Sequence, residues 1–143
     1  LELDTDGTKQ AEHFINAVGE DLSGRLIPAV EVRLRGLYRL LPPDYYEAAD
    51  NLADFCDRIE KQYGVRPVIY CTERTYKNIV ASDSRFNKDK IWYESLFSKP
   101  DKDMDWTFWT YTNRVKFSFY ESGEYLHMTV FNGSEDDFKK LII

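Results

Sequence analysis

Glu31 and Arg33 stand two apart in the run Ile27-Pro28-Ala29-Val30-Glu31-Val32-Arg33. Successive side chains of a β-strand point to opposite faces, so a strand here sets a carboxylate beside a guanidinium on one face. A carboxylate at a strand end is a candidate for proton transfer or for stabilising positive charge. A neighbouring guanidinium favours the charged form of a carboxyl group and opposes its use as an acid, so the competing reading is a structural ion pair. The other chemistry-bearing residues are sparse. His13, His127, Cys56 and Cys71 show no metal-ligand spacing, which predicts no structural zinc and no metal dependence, and no cofactor is implied. Two free, buried thiols are expected, with a disulfide as the alternative.

The elements that must position these groups follow from hydrophobic period and punctuation. Ala11, Phe14, Ile15 and Val18 recur at helical spacing and predict a helix over 9–18, stopped by Gly19. Residues 26–32 form a short, nearly continuous apolar run with Pro28 near its start, the pattern of a parallel strand covered on both faces. Residues 33–43, with Leu37, Tyr38, Leu40, Leu41 and a Pro-Pro pair, read as a functional loop. Asp44 and Glu47 suggest a capping box for a helix whose stripe is Ala48, Leu52, Phe55, Cys56, Ile59 and Tyr63, ended by Gly64. A second strand over 66–71 and a helix over 72–81 complete a strand–helix alternation that predicts right-handed βαβ units. Strand-like segments then crowd together at 91–93, 106–111, 115–120 and 125–131, with Ser122-Gly123 marking a hairpin. Ser134 to Asp137 caps a terminal helix carrying Phe138, Leu141 and Ile142.

Composition limits what such a chain can do. Its 143 residues, 43% of them hydrophobic, with three tryptophans, ten tyrosines and nine phenylalanines, suffice for one domain over 1–143 with a sizeable core. A formal charge of −6 with no basic stripe argues against nucleic acid and anionic membranes as partners. No apolar run approaches a membrane span and no leader pattern opens the sequence, so a soluble chain is expected and its localisation stays open.

Several stretches, in order, resemble the family-25 glycoside hydrolases, the lysozyme-type muramidases. Gln10-Ala11-Glu12-His13-Phe14-Ile15 is similar to the helix after the family's fourth strand, and Ile27 to Arg33 to the strand that carries its Asp-x-Glu pair. Tyr63-Gly64-Val65-Arg66-Pro67-Val68-Ile69-Tyr70 resembles the next strand, Asp105-Trp106-Thr107-Phe108-Trp109-Thr110-Tyr111-Thr112 the Trp-x-Tyr strand, and Val130-Phe131-Asn132-Gly133-Ser134 the closing segment.

The resemblance implies an α/β fold forming an incomplete β/α barrel, a half-barrel whose opening strands and first active-site Asp lie outside this chain. It also implies a degenerate site. Glycoside hydrolysis needs two acidic groups, but the Asp-x-Glu positions hold Glu31 and Arg33, and the acidic position of the closing strand and the Asn two beyond it hold His127 and Thr129. A Glu31–His127 proton-transfer pair is one possibility and a structural histidine the other. Tyr70, Trp92, Trp109 and Tyr111 fall at aromatic positions of the family's sugar cleft and read as substrate-binding residues, the alternative being barrel core. The expectation is an inactive lysozyme-like domain that self-associates as a homodimer or binds peptidoglycan or another glycan. The alternatives are an active cell-wall hydrolase using Glu31 and a glycan-binding module.

Overall fold

The computed structural model describes residues 1–117 and 125–143; Ser122-Gly123 and the end of the expected strand over 115–120 lie outside them. The described chain is mixed α/β, built on one five-stranded sheet of order β1-β2-β3-β4-β5: β1 (Ala29–Val32), β2 (Val68–Thr72), β3 (Ile91–Glu94), β4 (Phe108–Val115) and β5 (Leu126–Phe131). The first four run parallel and β5 is antiparallel to β4. Helices α1 (Gly7–Val18) and α2 (Tyr45–Tyr63) precede β1 and β2, and α3 (Glu73–Thr75) and α4 (Glu135–Lys139) are short.

Most boundaries follow the local chemistry already visible in the sequence. Asp6 caps α1 by accepting from Lys9 N at 2.9 Å, which starts the helix two residues before the expected 9. Asp44 caps α2 by accepting from Tyr46 N at 2.8 Å, a simple cap in place of the expected box with Glu47. Gly64 ends α2 at φ 73°, a left-handed conformation that costs a side-chain-bearing residue more than glycine, and its N–H returns to Glu60 O. The helix expected over 72–81 opens with a reciprocal Thr72–Thr75 box, then widens to π geometry over Tyr76–Val80. Asn78 Nδ2 takes Arg74 O at 2.8 Å, the carbonyl its own N–H would need in an α-helix, which gives the wider turn a local cause.

Two expectations about strands are corrected. The run 26–32 is not covered on both faces. Only Ala29–Val32 is strand, Val30 and Val32 are buried, and Ala29 and Glu31 face the open side, because the polar residue alternates with the valines at period two. Leu26 instead bridges Ile142 near the C-terminus. The strand expected over 106–111 instead runs from Phe108 to Val115 as β4, reaching the first residue of the segment expected over 115–120, and its register against β5 shifts between Thr110 and Thr112 and again between Thr112 and Val115.

The core fills the helix side of the sheet. Val30, Val32, Ile69, Cys71, Ile91 and Tyr93 meet Ala11, Ile15, Leu52, Cys56, Ile59 and Ile79 from the helices. Both cysteines are free and buried there, and burial pushes their thiols up to about 12. α1 approaches α2 so closely that a Cβ at Gly7 would lie 1.8 Å from Asn51 O. In the loop over 33–43, Gly36–Arg39 forms a 3₁₀ turn; Tyr38 packs on the core while Leu37, Leu40 and Leu41 stay exposed. Among the described residues no helix is long and apolar enough to cross a membrane.

Gly7→Ala is therefore expected to destabilise the fold by about 2 kcal/mol or more, since the added methyl meets backbone rather than a side chain that can turn away. Urea unfolding measures it, and an unchanged midpoint would show that the helices can separate freely. Native protein at pH 8 is expected to leave both thiols unreacted with a thiol reagent, because the thiolate is the reactive form and a thiol pushed up to about 12 is almost wholly protonated there. Denaturant should release both.

Candidate functional site

Parallel strands leave a crevice beyond their carboxyl ends, and in open α/β sheets ligands bind there. In this chain the ends of β1, β2 and β3 bring Arg33, Thr72 and Glu94 to the wall of a cleft of about 520 Å³. Register places Glu31 opposite Tyr70 and Tyr70 opposite Trp92, so one polar face crosses three strands.

Arg33 holds this face together. Its Nη2 donates to Glu94 Oε2 at 2.5 Å and to Tyr70 Oη at 3.1 Å, and its Nε lies 2.8 Å from Glu31 Oε1, an ion-pair contact away from the hydrogen-bond angle. Arg35 pairs with the other oxygen of Glu31, and the Tyr70 hydroxyl donates to Glu94. The guanidinium carbon sits 5.6 Å from the centre of the Tyr70 ring. Burial works against the charge of Arg33, but the charge and hydrogen bond of Glu94, with help from Tyr70 and Glu31, raise it above its ordinary value. Burial, and then the hydrogen bond to Glu94, likewise push the Tyr70 phenol up. The chemical result is an array of fixed charges in which each oxygen of Glu31 faces a guanidinium and Oε2 of Glu94 takes both a guanidinium and a phenol.

The sequence-derived candidates divide between the two faces of the sheet. Glu31, Arg33, Tyr70 and Trp92 come together: Tyr70 and Trp92 stack at 5.0 Å, and Trp92 Nε1 donates to Thr110 Oγ1, which bonds Thr129 Oγ1 at 2.7 Å. The row continues through Trp92–Phe108 at 5.2 Å and Phe108–Phe131 at 5.3 Å. Trp109 does not join it. Its register partner is the buried Tyr93, it packs against the helix-side core, and its Nε1 donates to Ser95 O at 3.0 Å. Tyr111 stacks on Trp109 at 5.7 Å and is 40% exposed. The pair expected in the cleft thus faces the other way, because the odd positions of β4 share the parity of Tyr93. His127 is exposed on β5, with β2, β3 and β4 between it and Glu31. Among the described residues no group of three or more His, Cys, Asp or Glu could hold a metal ion.

Glu94 is the member that sequence reasoning missed. It closes the apolar run Ile91-Trp92-Tyr93 and is only 9% exposed, yet it is the principal partner of Arg33, 61 positions away. The signal was its parity, two residues beyond Trp92 and hence on the same face. Arg39 and Arg74, which line the cleft with Arg33 and Arg35, were also unread. They lie after β1 and β2, in segments whose convergence depends on the strands pairing.

The comparisons with known proteins bear on the fold that carries this site. The sequence profile of Glycosyl hydrolases family 25 matches residues 2–118. A family 25 glycosyl hydrolase from Bacillus anthracis is 28% identical, with a TM-score of 0.83 over 99% of this chain and 65% of that one. A lysozyme from Streptomyces coelicolor is 24% identical, with a TM-score of 0.71 over 96% of this chain and 66% of that one. A family 25 lysozyme from Aspergillus fumigatus is 18% identical, with a TM-score of 0.73 over 96% of this chain and 67% of that one. No curated protein sequence matches the chain. The chain spans about two thirds of these structures, 65% of the first, and its profile match covers most of its own residues: it belongs to glycosyl hydrolase family 25.

Proposed function

We propose that residues 1–143 act as one lysozyme-family domain, an open part of the family's barrel, that binds a cell-wall glycan such as peptidoglycan without hydrolysing it. The observation that carries this reading is the position of Arg33 between Glu31 and Glu94. Cleavage of a glycosidic bond needs a carboxylic acid free to hand a proton to the leaving oxygen and a second carboxylate free to act on the sugar. Here Glu31 takes two guanidinium contacts, and Glu94 a guanidinium and a phenol. Neither carboxylate is left in position to donate. The half-buried faces of Tyr70 and Trp92 beside them support the glycan part of the reading, since aromatic faces stack on sugar rings.

Self-association is the second part of the proposal. Leu37, Leu40 and Leu41 are 65%, 81% and 64% exposed and Tyr46 is 86% exposed, all within ten residues. Exposed apolar side chains grouped this way mark contact surfaces, and β1 stands at the sheet edge. A two-fold homodimer would cover both.

Incubation with bacterial cell walls is expected to produce no fall in turbidity and no reducing sugar above background. Clear release abolished by Glu31→Gln would overturn the reading in favour of an active hydrolase. Size exclusion with light scattering is expected to give about twice the chain mass of 16.9 kDa at micromolar concentration, with Leu40→Asp returning it to the monomer. A wild-type mass near 16.9 kDa would remove the dimer.

A further inference from the structure

We infer that the cleft at the ends of β1, β2 and β3 is an oxyanion site, and that the group it takes is the phosphate of a phosphorylated saccharide. The charge of the chain argues the other way, since a net −6 repels anions over most of the surface. The cleft reverses that sign locally. Arg33, Arg35, Arg39 and Arg74 line it, and Glu94 is the lining carboxylate; adding Glu31, which pairs with Arg33 and Arg35, gives four arginines against two glutamates, a surplus of two positive charges.

The four arginines do different work. Arg33 and Arg35 are spent on the carboxylates of the site wall. Arg39 and Arg74 have no carboxylate partner among the described residues, and both side chains are exposed at the cleft mouth. Arg74 Nη1 donates to Arg39 O at 2.9 Å, which ties the 3₁₀ turn Gly36–Arg39 to α3 and brings both arginines to the same cleft. Like charges gathered without a counter-charge are unfavourable unless something neutralises them. A guanidinium presents a planar fork of donors that fits phosphate oxygens in pairs, and two forks can close on one tetrahedral group. A phosphate monoester carries close to two negative charges near neutral pH, matching the surplus, whereas a single carboxylate would leave half of it. Thr72, on the cleft wall at the end of β2, stands beside the same opening, and the aromatic row headed by Tyr70 and Trp92 adjoins it on β2 and β3, giving a sugar attached to the phosphate a face to lie on.

This names the ligand class of the cleft and rests on the glycan reading only for the sugar; the phosphate contact stands without it. The test is calorimetric titration of the full chain at low salt with three probes: inorganic phosphate, N-acetylglucosamine 6-phosphate and a neutral N-acetylglucosamine tetramer. Both phosphates are expected to bind, with affinity falling as salt rises. Arg39→Ala, whose side chain supports no other group, is expected to weaken both at least tenfold, and Arg74→Lys, which keeps a donor for Arg39 O, to weaken them severalfold. Circular dichroism confirms that each variant is folded. Absence of phosphate binding, or phosphate binding unmoved by Arg39→Ala, overturns the oxyanion site. Binding of the neutral tetramer alone would sink this inference and leave the glycan reading standing; binding of both phosphates without the tetramer would uphold it without the glycan reading, and binding of inorganic phosphate with neither sugar would overturn the phosphorylated saccharide as the ligand.

Discussion

A guanidinium that must satisfy two carboxylates has to sit between them, and the position of Arg33 between Glu31 and Glu94 fixes the polar face of this molecule. The contacts tie β1 to β3 across β2, with Tyr70 of β2 filling the space between and hydrogen-bonded to both Arg33 and Glu94. Glu94 is 9% exposed, so its charge is tolerable only while its partners stay in place. Breaking a buried pair by removing one member costs about 3–5 kcal/mol, and the lower end applies here because Arg33 remains 31% exposed. The same arrangement commits both oxygens of Glu31 and Oε2 of Glu94 to contacts with guanidinium and phenol groups.

What the sequence disclosed was whatever depends on near neighbours. Gly19 ends α1, Asp44 and Gly64 bound α2, and the Ser134–Asp137 box starts α4, all through bonds that span a few residues. The buried helix face of Cys56 and the ion pair of Glu31 with Arg33 are of the same kind, since a helical stripe and a two-residue strand step are local periods. What stayed hidden depends on register. Whether Trp109 faces the cleft or the helices is decided by its pairing with Tyr93, and no feature within residues 105–112 states that pairing. Glu94 was hidden for the same reason. Its meaning lies in Arg33, just past the end of a strand two places away in the sheet.

The two faces of the sheet carry separate burdens. On the helix side, valine, isoleucine, cysteine and tyrosine side chains pack against α1, α2 and the turns over 73–80, and this apolar burial supplies most of the folding free energy. On the other side, Glu31, Tyr70, Trp92, Phe108 and Phe131 form one register row across all five strands, each partnered to the next. The aromatic part of that row, stacked at 5.0 to 5.3 Å, is apolar and self-supporting. Its polar end is not. A substitution at Glu31, Arg33 or Glu94 changes charge at the strand ends without touching the helix-side packing.

That separation explains how a chain only 28% identical to the Bacillus anthracis hydrolase superposes on it with a TM-score of 0.83. The fold is specified by the helix-side core and by caps and turns, which many sequences can satisfy; the chemistry is specified by a few side chains at the strand ends, which the fold does not constrain. An arginine between two carboxylates is compatible with the same backbone because strand alternation delivers whatever residue stands at i+2 to the same place. Family membership therefore follows from the first set of residues, and what the cleft does must be argued from the second.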